Sequence, residues 1–397
     1  MESSNNVPYW RLSNFYLFYF AALGVLVPFW SLYLKSLNFD ASQIGELIAI
    51  IMATKIIAPY IWGWIADHTG YDLLIVRIAS ILSFLLFALI FINQSYWWIA
   101  FVMMAFSFFW NAALPQFEAI TMNHLRERVD EYSKIRVWGS LGFVAAVIVM
   151  GWLLETYDES IVPIALFFLY GIIMLTAFMV PVSGKIHHVE HQGSIFTVLK
   201  NPVVLALIAV CFFLQFSHGS YYTFYSIYLQ DHGYQSTAIG GLWALGVIAE
   251  VVLFLYVHVL LPKYGHRNLL LLALILTVVR WVLIAFFVEQ TSIIVFAQLL
   301  HAASFGLFHA ISISLFHRYF VGKHQGRGQA LYASVSFGAG GALGSLFSGF
   351  SWEYLGSTVS FLISAAAVLV AIVITYVYIH TGSNVQDEQV RVAHGQE

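Results

Sequence analysis

Long apolar runs alternate with short polar breaks along almost the whole chain. Runs of about 18 or more apolar residues are long enough to cross the hydrocarbon layer of a bilayer as helices. They fall at 12–35, 43–65, 73–92, 97–122, 135–155, 161–180, 202–229, 238–261, 268–288, 292–317, 328–352 and 357–380. The breaks leave little outside a membrane. Composition agrees: of 397 residues, 60% are hydrophobic and only 9% charged, against about 25% charged in a soluble domain. The pattern predicts an all-α integral membrane protein of twelve transmembrane helices, with the lipid bilayer as its first partner.

Charge sets the expected orientation. Of the 17 Lys and Arg, nearly all fall on the side that holds both termini, among them Arg11, Arg77, Arg126, Arg128, Lys134, Lys200, Lys263, Arg267 and Arg318. Only Lys35 falls on the other side, so both termini are expected in the cytoplasm and the protein in the plasma membrane, the inner membrane if bacterial. The polar start MESSNNVPYWR precedes a full-length span, which reads as a retained helix and not a cleaved signal. The net charge of −3 points to no nucleic-acid partner. Cys211 is the single cysteine, so no intrachain disulfide forms. His187, His188 and His191 lie in a polar stretch with no carboxylate or cysteine set at ligand spacing, so the stretch is read as a solvated tether. No metal or cofactor is expected, and no nucleophile–base pair suggests an enzyme.

Three ionisable residues interrupt the third quarter of the chain. Glu250 lies in GLWALGVIAEVVLFLYVHVLL, Arg280 in LLLLALILTVVRWVLIAFF, and His301, followed by His309, in SIIVFAQLLHAASFGLFHAISISLF. At about 1.5 Å per residue, Glu250, Arg280 and His301 sit roughly 14–18 Å from their helix ends, near the middle of a ~30 Å layer. A charge there costs at least ~2.5–3.5 kcal/mol. Mutual pairing around a wet cavity is expected, with a structural ion pair as the plainer alternative.

The first half of the chain repeats in the second. GVLVPFWSLYLKSLNFDASQIGEL from Gly24 aligns without gaps on GSYYTFYSIYLQDHGYQSTAIGGL from Gly219, with identities that include Gly24/Gly219, Tyr33/Tyr228 and Gly45/Gly240. The same offset sets Lys55 opposite Glu250. Two parallel six-helix halves are the pattern of major facilitator transporters. The expected division is an N-terminal bundle over 1–180, a cytoplasmic linker over 181–200, a C-terminal bundle over 201–381 and a disordered tail over 382–397. GWIADHTGYDLL resembles the G-x-x-x-D-x-x-G loop of that superfamily through Gly63, Asp67 and Gly70. The basic residues usual after the Asp are replaced by His68, Tyr71 and Asp72.

Asn111, Pro115 and Glu118 share one face of the fourth helix. Arg136 opens the fifth helix at similar depth, so it can pair with Glu118. Gly139 and Gly142 favour close helix contact, as do Gly340 and Gly344 in the eleventh helix. In the seventh, Tyr221, Tyr222, Phe224, Tyr225 and Tyr228 read as packing aromatics, with Tyr222 and Tyr225 as candidates to face a ligand.

PQFEA followed by KIRVWGS, then GVIAEVVLF, VVRW and LLH…FH, together resemble the phenylpropionate permease family, related to lactose permease-type proton symporters. The resemblance spans essentially all twelve helices. It implies proton-coupled uptake of a small organic solute, with an aromatic carboxylate such as 3-phenylpropionate as first choice, by a protein functional as a monomer. It also implies a solute site at Glu118 and Arg136, and proton coupling at Glu250, Arg280 and His301, with His309 nearby. Two departures stand out: Phe143 replaces the sugar-stacking Trp, and Ser304 replaces the proton-carrying carboxylate after the His. Sugar is thereby disfavoured and Glu250 becomes the expected proton carrier. Arg136 or Lys55 would hold the anion and Phe143 the ring, while Asn111 adds a polar contact. A sugar or nucleoside symporter, and a non-transporting membrane sensor of the same fold, remain as alternatives.

Overall fold

The computed structural model describes residues 7–126, 128–182 and 196–379. Most of the 181–200 linker with its three histidines, and the 382–397 tail, lie outside the described residues. Twelve helices are long and apolar enough to span a membrane: α1 (Tyr9–Ser36), α2 (Ala41–Thr69), α3 (Asp72–Phe91), α4 (Tyr96–Leu125), α5 (Tyr132–Thr156), α6 (Ile161–Met179), α7 (Pro202–Asp231), α8 (Ser236–Tyr264), α9 (His266–Phe286), α10 (Thr291–Tyr319), α11 (Gln325–Leu355) and α12 (Ser357–Tyr378). They match the predicted runs, each differing by only a few residues at its ends. Local chemistry sets several boundaries. Asp40 opens α2 with a capping box, accepting from Gln43 N at 2.8 Å while Gln43 Oε1 accepts from Asp40 N at 3.1 Å. Gly70 closes it at φ +67°, a left-handed position that favours glycine.

The helices form two six-helix bundles. Within the first, α1 packs on α5 and α6, and α4 on α2 and α3; within the second, α12 packs on α7 and α9, and α8 on α10. The bundles meet where α2 lies on α11, α5 on α8, and α1 on α7. The repeat explains itself here. A Cβ on Gly24 would stand 2.8 Å from Phe143 O in α5, and one on Gly219 would stand 2.1 Å from the carbonyl carbon of Gly344 in α11. Each glycine lets the first helix of its half touch the fifth. The Gly45/Gly240 pair works between halves instead: a Cβ would meet Gly349 at 2.7 Å and Val147 O at 2.3 Å, respectively.

A set of hydrogen bonds joins the halves at the end far from the termini. Lys35 pairs with Asp231, and Gln230 donates to Glu159 at 3.4 Å. Glu353, near the end of α11, accepts from Ala41 N at the start of α2 at 3.0 Å. Glu155, near the end of α5, accepts from Thr237 N at 3.0 Å and from its hydroxyl at 3.2 Å, at the start of α8. These are similar contacts in the two directions, each a carboxylate of one half on a helix N-terminus of the other, where it meets free N–H groups and the positive end of the dipole. Toward the termini the halves part. On α8 every buried residue lies in the far half, from Ile239 to Gly246. The result is a cleft closed at the far end and open toward the termini.

Candidate functional site

The charged residues of the second half do not pair as their depth suggested. Arg280 is 0% exposed, but none of the hydrogen bonds it makes goes to a carboxylate. Its Nη1 donates to Ser304 Oγ at 2.9 Å and its Nη2 to Gln298 Oε1 at 3.0 Å. The guanidinium also lies over the rings of Tyr221 at 4.1 Å and Trp281 at 4.7 Å. Neutral oxygens and two π faces therefore stabilise the cation. Glu250 instead approaches His301, with Oε2 3.9 Å from Nε2. Gly246 and Gly306 make room for that approach: a Cβ on the first would sit 3.3 Å from the His301 ring, and one on the second 2.8 Å from Glu250 Cγ. The expected three-way pairing thus separates into a caged arginine and a carboxylate–imidazole pair. The reason is the α10 side chains Gln298 and Ser304, which occupy the positions a carboxylate would need. The serine that stands in for the missing family carboxylate is one of them.

His301 begins a wide turn. Ala302–Leu307 is π-helical, as is Ser334–Gly340 in α11, and such turns often accompany functional sites. His309 lies beyond the first, with Nδ1 2.8 Å from Tyr332 Oη.

In the first half, Glu118 and Arg136 are on neighbouring helices but do not bond to each other. Tyr132 donates to Glu118 Oε1 at 3.5 Å. The Arg136 guanidinium stacks over Phe20 at 3.8 Å, in space that Gly139 leaves free, where a Cβ would stand 2.6 Å from its Nη1. Arg136 makes no hydrogen bond or ion pair with any described residue, although it lies within electrostatic reach of Glu118 and, across the cleft, of Glu250 and His309. Phe143 is half-buried on α5, two turns beyond Arg136. Lys55 is likewise without a hydrogen bond or ion pair among the described residues. It borders a void of 20 Å³, about the room one water needs, beside Leu26, Ile51, Trp110 and Tyr222. That void is lined by α1, α2, α4 and α7. A larger groove of 480 Å³ between α2 and α4, lined by Ile50, Ile57, Met104 and Phe108, is apolar and holds none of the charged groups.

Asn111, expected as a polar contact for the solute, has its amide nitrogen engaged within the protein. Its amide donates to Thr54 Oγ1 at 2.9 Å and to Ile51 O at 3.2 Å, while Thr54 and Ser107 hydroxyls lie 2.9 Å apart. This polar knot ties α4 to α2. Of the loop signature, Gly63 faces Gln116 of α4, Asp67 is exposed in the last turn of α2, and Gly70 forms the C-cap. Arg77, the nearest base, donates to Val180 O at 2.9 Å and so caps α6. Sequence reasoning missed Gln298, Phe20, Tyr132 and Phe305. Phe305 carried the clearest signal, lying four residues from each of two histidines.

The whole frame has known relatives. The model of the MFS_1 like family matches residues 9–363. The chain belongs to that family of major facilitator transporters. It is 28% identical over 360 residues to a probable 3-phenylpropionic acid transporter of Escherichia coli (strain K12), covering 89% of this chain and 93% of the relative. A maltose permease of Geobacillus stearothermophilus is 25% identical, with 85% and 86% covered. Among solved structures, a mutant form of the nucleoside transporter NupG superposes with TM-score 0.85 at 17% identity, over 94% of this chain and all of that one. A bacterial homologue of the lysosomal transporter Spinster, inward-facing and unoccupied, superposes with TM-score 0.75 at 12% identity, covering 94% and 97%. These likenesses establish a multi-pass membrane transporter for small molecules, not an enzyme.

Proposed function

We propose that the protein is a proton-coupled symporter that takes up an aromatic carboxylate by alternating access. The observation that carries this is Arg136: a guanidinium on the cleft wall, stacked on an aromatic ring and bonded to no acid. Lys55 is a second cation without an acid. An organic anion supplies the missing partner, and bidentate carboxylate binding suits a guanidinium. The relative described as a probable 3-phenylpropionic acid transporter supports the same class.

Coupling then follows from competition for one cation. Glu250 and a solute carboxylate both draw on Arg136 from within the cleft. With Glu250 ionised, a second carboxylate meets repulsion; with Glu250 protonated, Arg136 is left for the solute. One proton and one carboxylate then travel together, and His301 beside Glu250 offers the route by which the proton leaves. The linker and both termini are taken as cytoplasmic, so the cleft described above is the inward-open state of a protein in the plasma membrane, working as a monomer. A cysteine at Asp158 should react with impermeant reagents from outside intact cells.

The test is transport by purified protein in proteoliposomes. Labelled 3-phenylpropionate should accumulate under an inward proton gradient, and a protonophore should abolish accumulation while leaving counterflow. Binding without counterflow would favour a sensor. A second reading is favoured by Glu118, whose carboxylate has only the long bond from Tyr132 and is free to accept solute hydroxyls. A sugar or nucleoside that outcompetes aromatic acids for uptake would establish that reading instead.

A further inference from the structure

Phe305 is the anomaly of α10. Its neighbours Leu307 and Phe308 are 3% and 1% exposed and belong to the hydrophobic core. Phe305 is only half-buried and is not part of that core. It is nevertheless held firmly. The His301 ring stacks on it at 5.5 Å between centroids and 8° between planes, and His309 stacks on the other side at 5.8 Å and 7°. Phe337 of α11 braces it at 6.1 Å and 55°. Residues four apart lie on one face of a helix, one above the other, so the three rings form a column along α10 that passes through the π-helical turn Ala302–Leu307.

The column has a defined position in the cleft. Glu250 flanks its upper end through His301, and Tyr332 holds its lower end through His309. Arg136 of the other half reaches electrostatically both Glu250 and His309. Its helix α5 packs on α8, which carries Glu250, and a Cβ on Gly306 would stand 2.8 Å from Glu250 Cγ, so Phe305 lies one residue from that contact.

We infer that Phe305 is the specificity-determining residue for the apolar part of the solute, a rigid aromatic platform that selects an aryl ring over an alkyl chain. This rests on the reading of the solute as an aryl-bearing acid. With the carboxylate on Arg136, the solute extends across the cleft and its ring meets the open side of Phe305. A preordered ring whose two faces are held by histidines presents its edge, and edge-on packing against an aromatic face gives about a three- to tenfold gain over an aliphatic group of similar size.

Binding to purified protein in detergent tests it with three probes: 3-phenylpropionate, hexanoate and the uncharged 3-phenylpropanol. The wild type should prefer the phenyl acid to hexanoate. Phe305→Leu should lose that preference by about three- to tenfold, with hexanoate affinity unchanged, while Phe305→Tyr should retain it. Phe305→Met serves in place of the leucine variant if that protein fails to elute as a monodisperse peak. If the wild type binds the phenyl alcohol but neither acid, the carboxylate reading fails; loss of alcohol binding in Phe305→Leu would still support the platform. A wild type with no aryl preference, or a leucine variant that keeps it, overturns the inference.

Discussion

The two halves are built on one repeated frame and treat their basic residues in opposite ways. In the second half, Arg280 is sealed from solvent and held by Ser304, Gln298 and two aromatic rings. In the first, Arg136 has a ring beneath it and no bonded acid. A buried cation whose two terminal nitrogens are bonded to neutral side chains belongs to the architecture, whereas one that bonds to no described residue is available to a ligand. The carboxylates divide in the same sense. Glu250 faces an imidazole, a partner able to exchange a proton, and Glu118 faces a phenol. Symmetry supplies equivalent scaffolds, and the proposal assigns coupling to one and solute binding to the other.

The largest effect that would test this division is expected at Glu250. Glu250→Gln should abolish accumulation driven by a pH gradient while solute counterflow persists, since exchange requires no net deprotonation. Because Arg280 does not depend on Glu250, this variant should fold normally. Accumulation persisting in a folded Glu250→Gln protein would transfer the proton to His301. Next comes Arg136→Gln, which should weaken binding of an aromatic acid by about 2–4 kcal/mol, roughly 30- to 1000-fold, without altering thermal stability. Arg280→Gln should show the reverse: a loss of stability of about 2–4 kcal/mol, from unsatisfied Gln298 and Ser304 oxygens and lost ring contacts, read as a lower melting temperature in detergent. Equal losses of affinity in both arginine variants would erase the contrast. The smallest effect belongs to Asn111→Ala, about 1–2 kcal/mol of stability from the broken α2–α4 knot, with affinity unchanged.

Much of the fold was legible because a bilayer leaves few solutions. Apolar length gave the helices, and paired glycines gave the repeat. The site was less legible because sequence reports how deep a residue sits in the membrane but not the rotation of its helix. Glu250 and His301, expected at one depth, do lie beside each other. Which of them touched depended on the azimuth of Gln298 and Ser304, two polar residues that look unremarkable in an apolar run. Asn111 shows the converse. Its type and face suggested ligand contact, yet Thr54 and Ile51 O on α2 engage its amide. Phe305 was overlooked because one more aromatic in a chain 17% aromatic draws little notice, although its spacing of four residues from each of two histidines puts it on their face.

The reciprocal carboxylate caps at the far end have a kinetic consequence. Glu155 and Glu353 stand on opposite sides of the pseudo-twofold, each clasping the first turn of a helix that belongs to the other half. No tilt of one bundle that separates both helix pairs can spare either clasp, and each released helix start loses a cap worth about 0.5–2 kcal/mol. Opening to the far side should therefore be an all-or-none jump over a single barrier, not a graded swing. Single-molecule distance records between labels on the two far-end rims should show two populations and abrupt transitions. A stable third population at intermediate distance would show that the clasps let go one at a time.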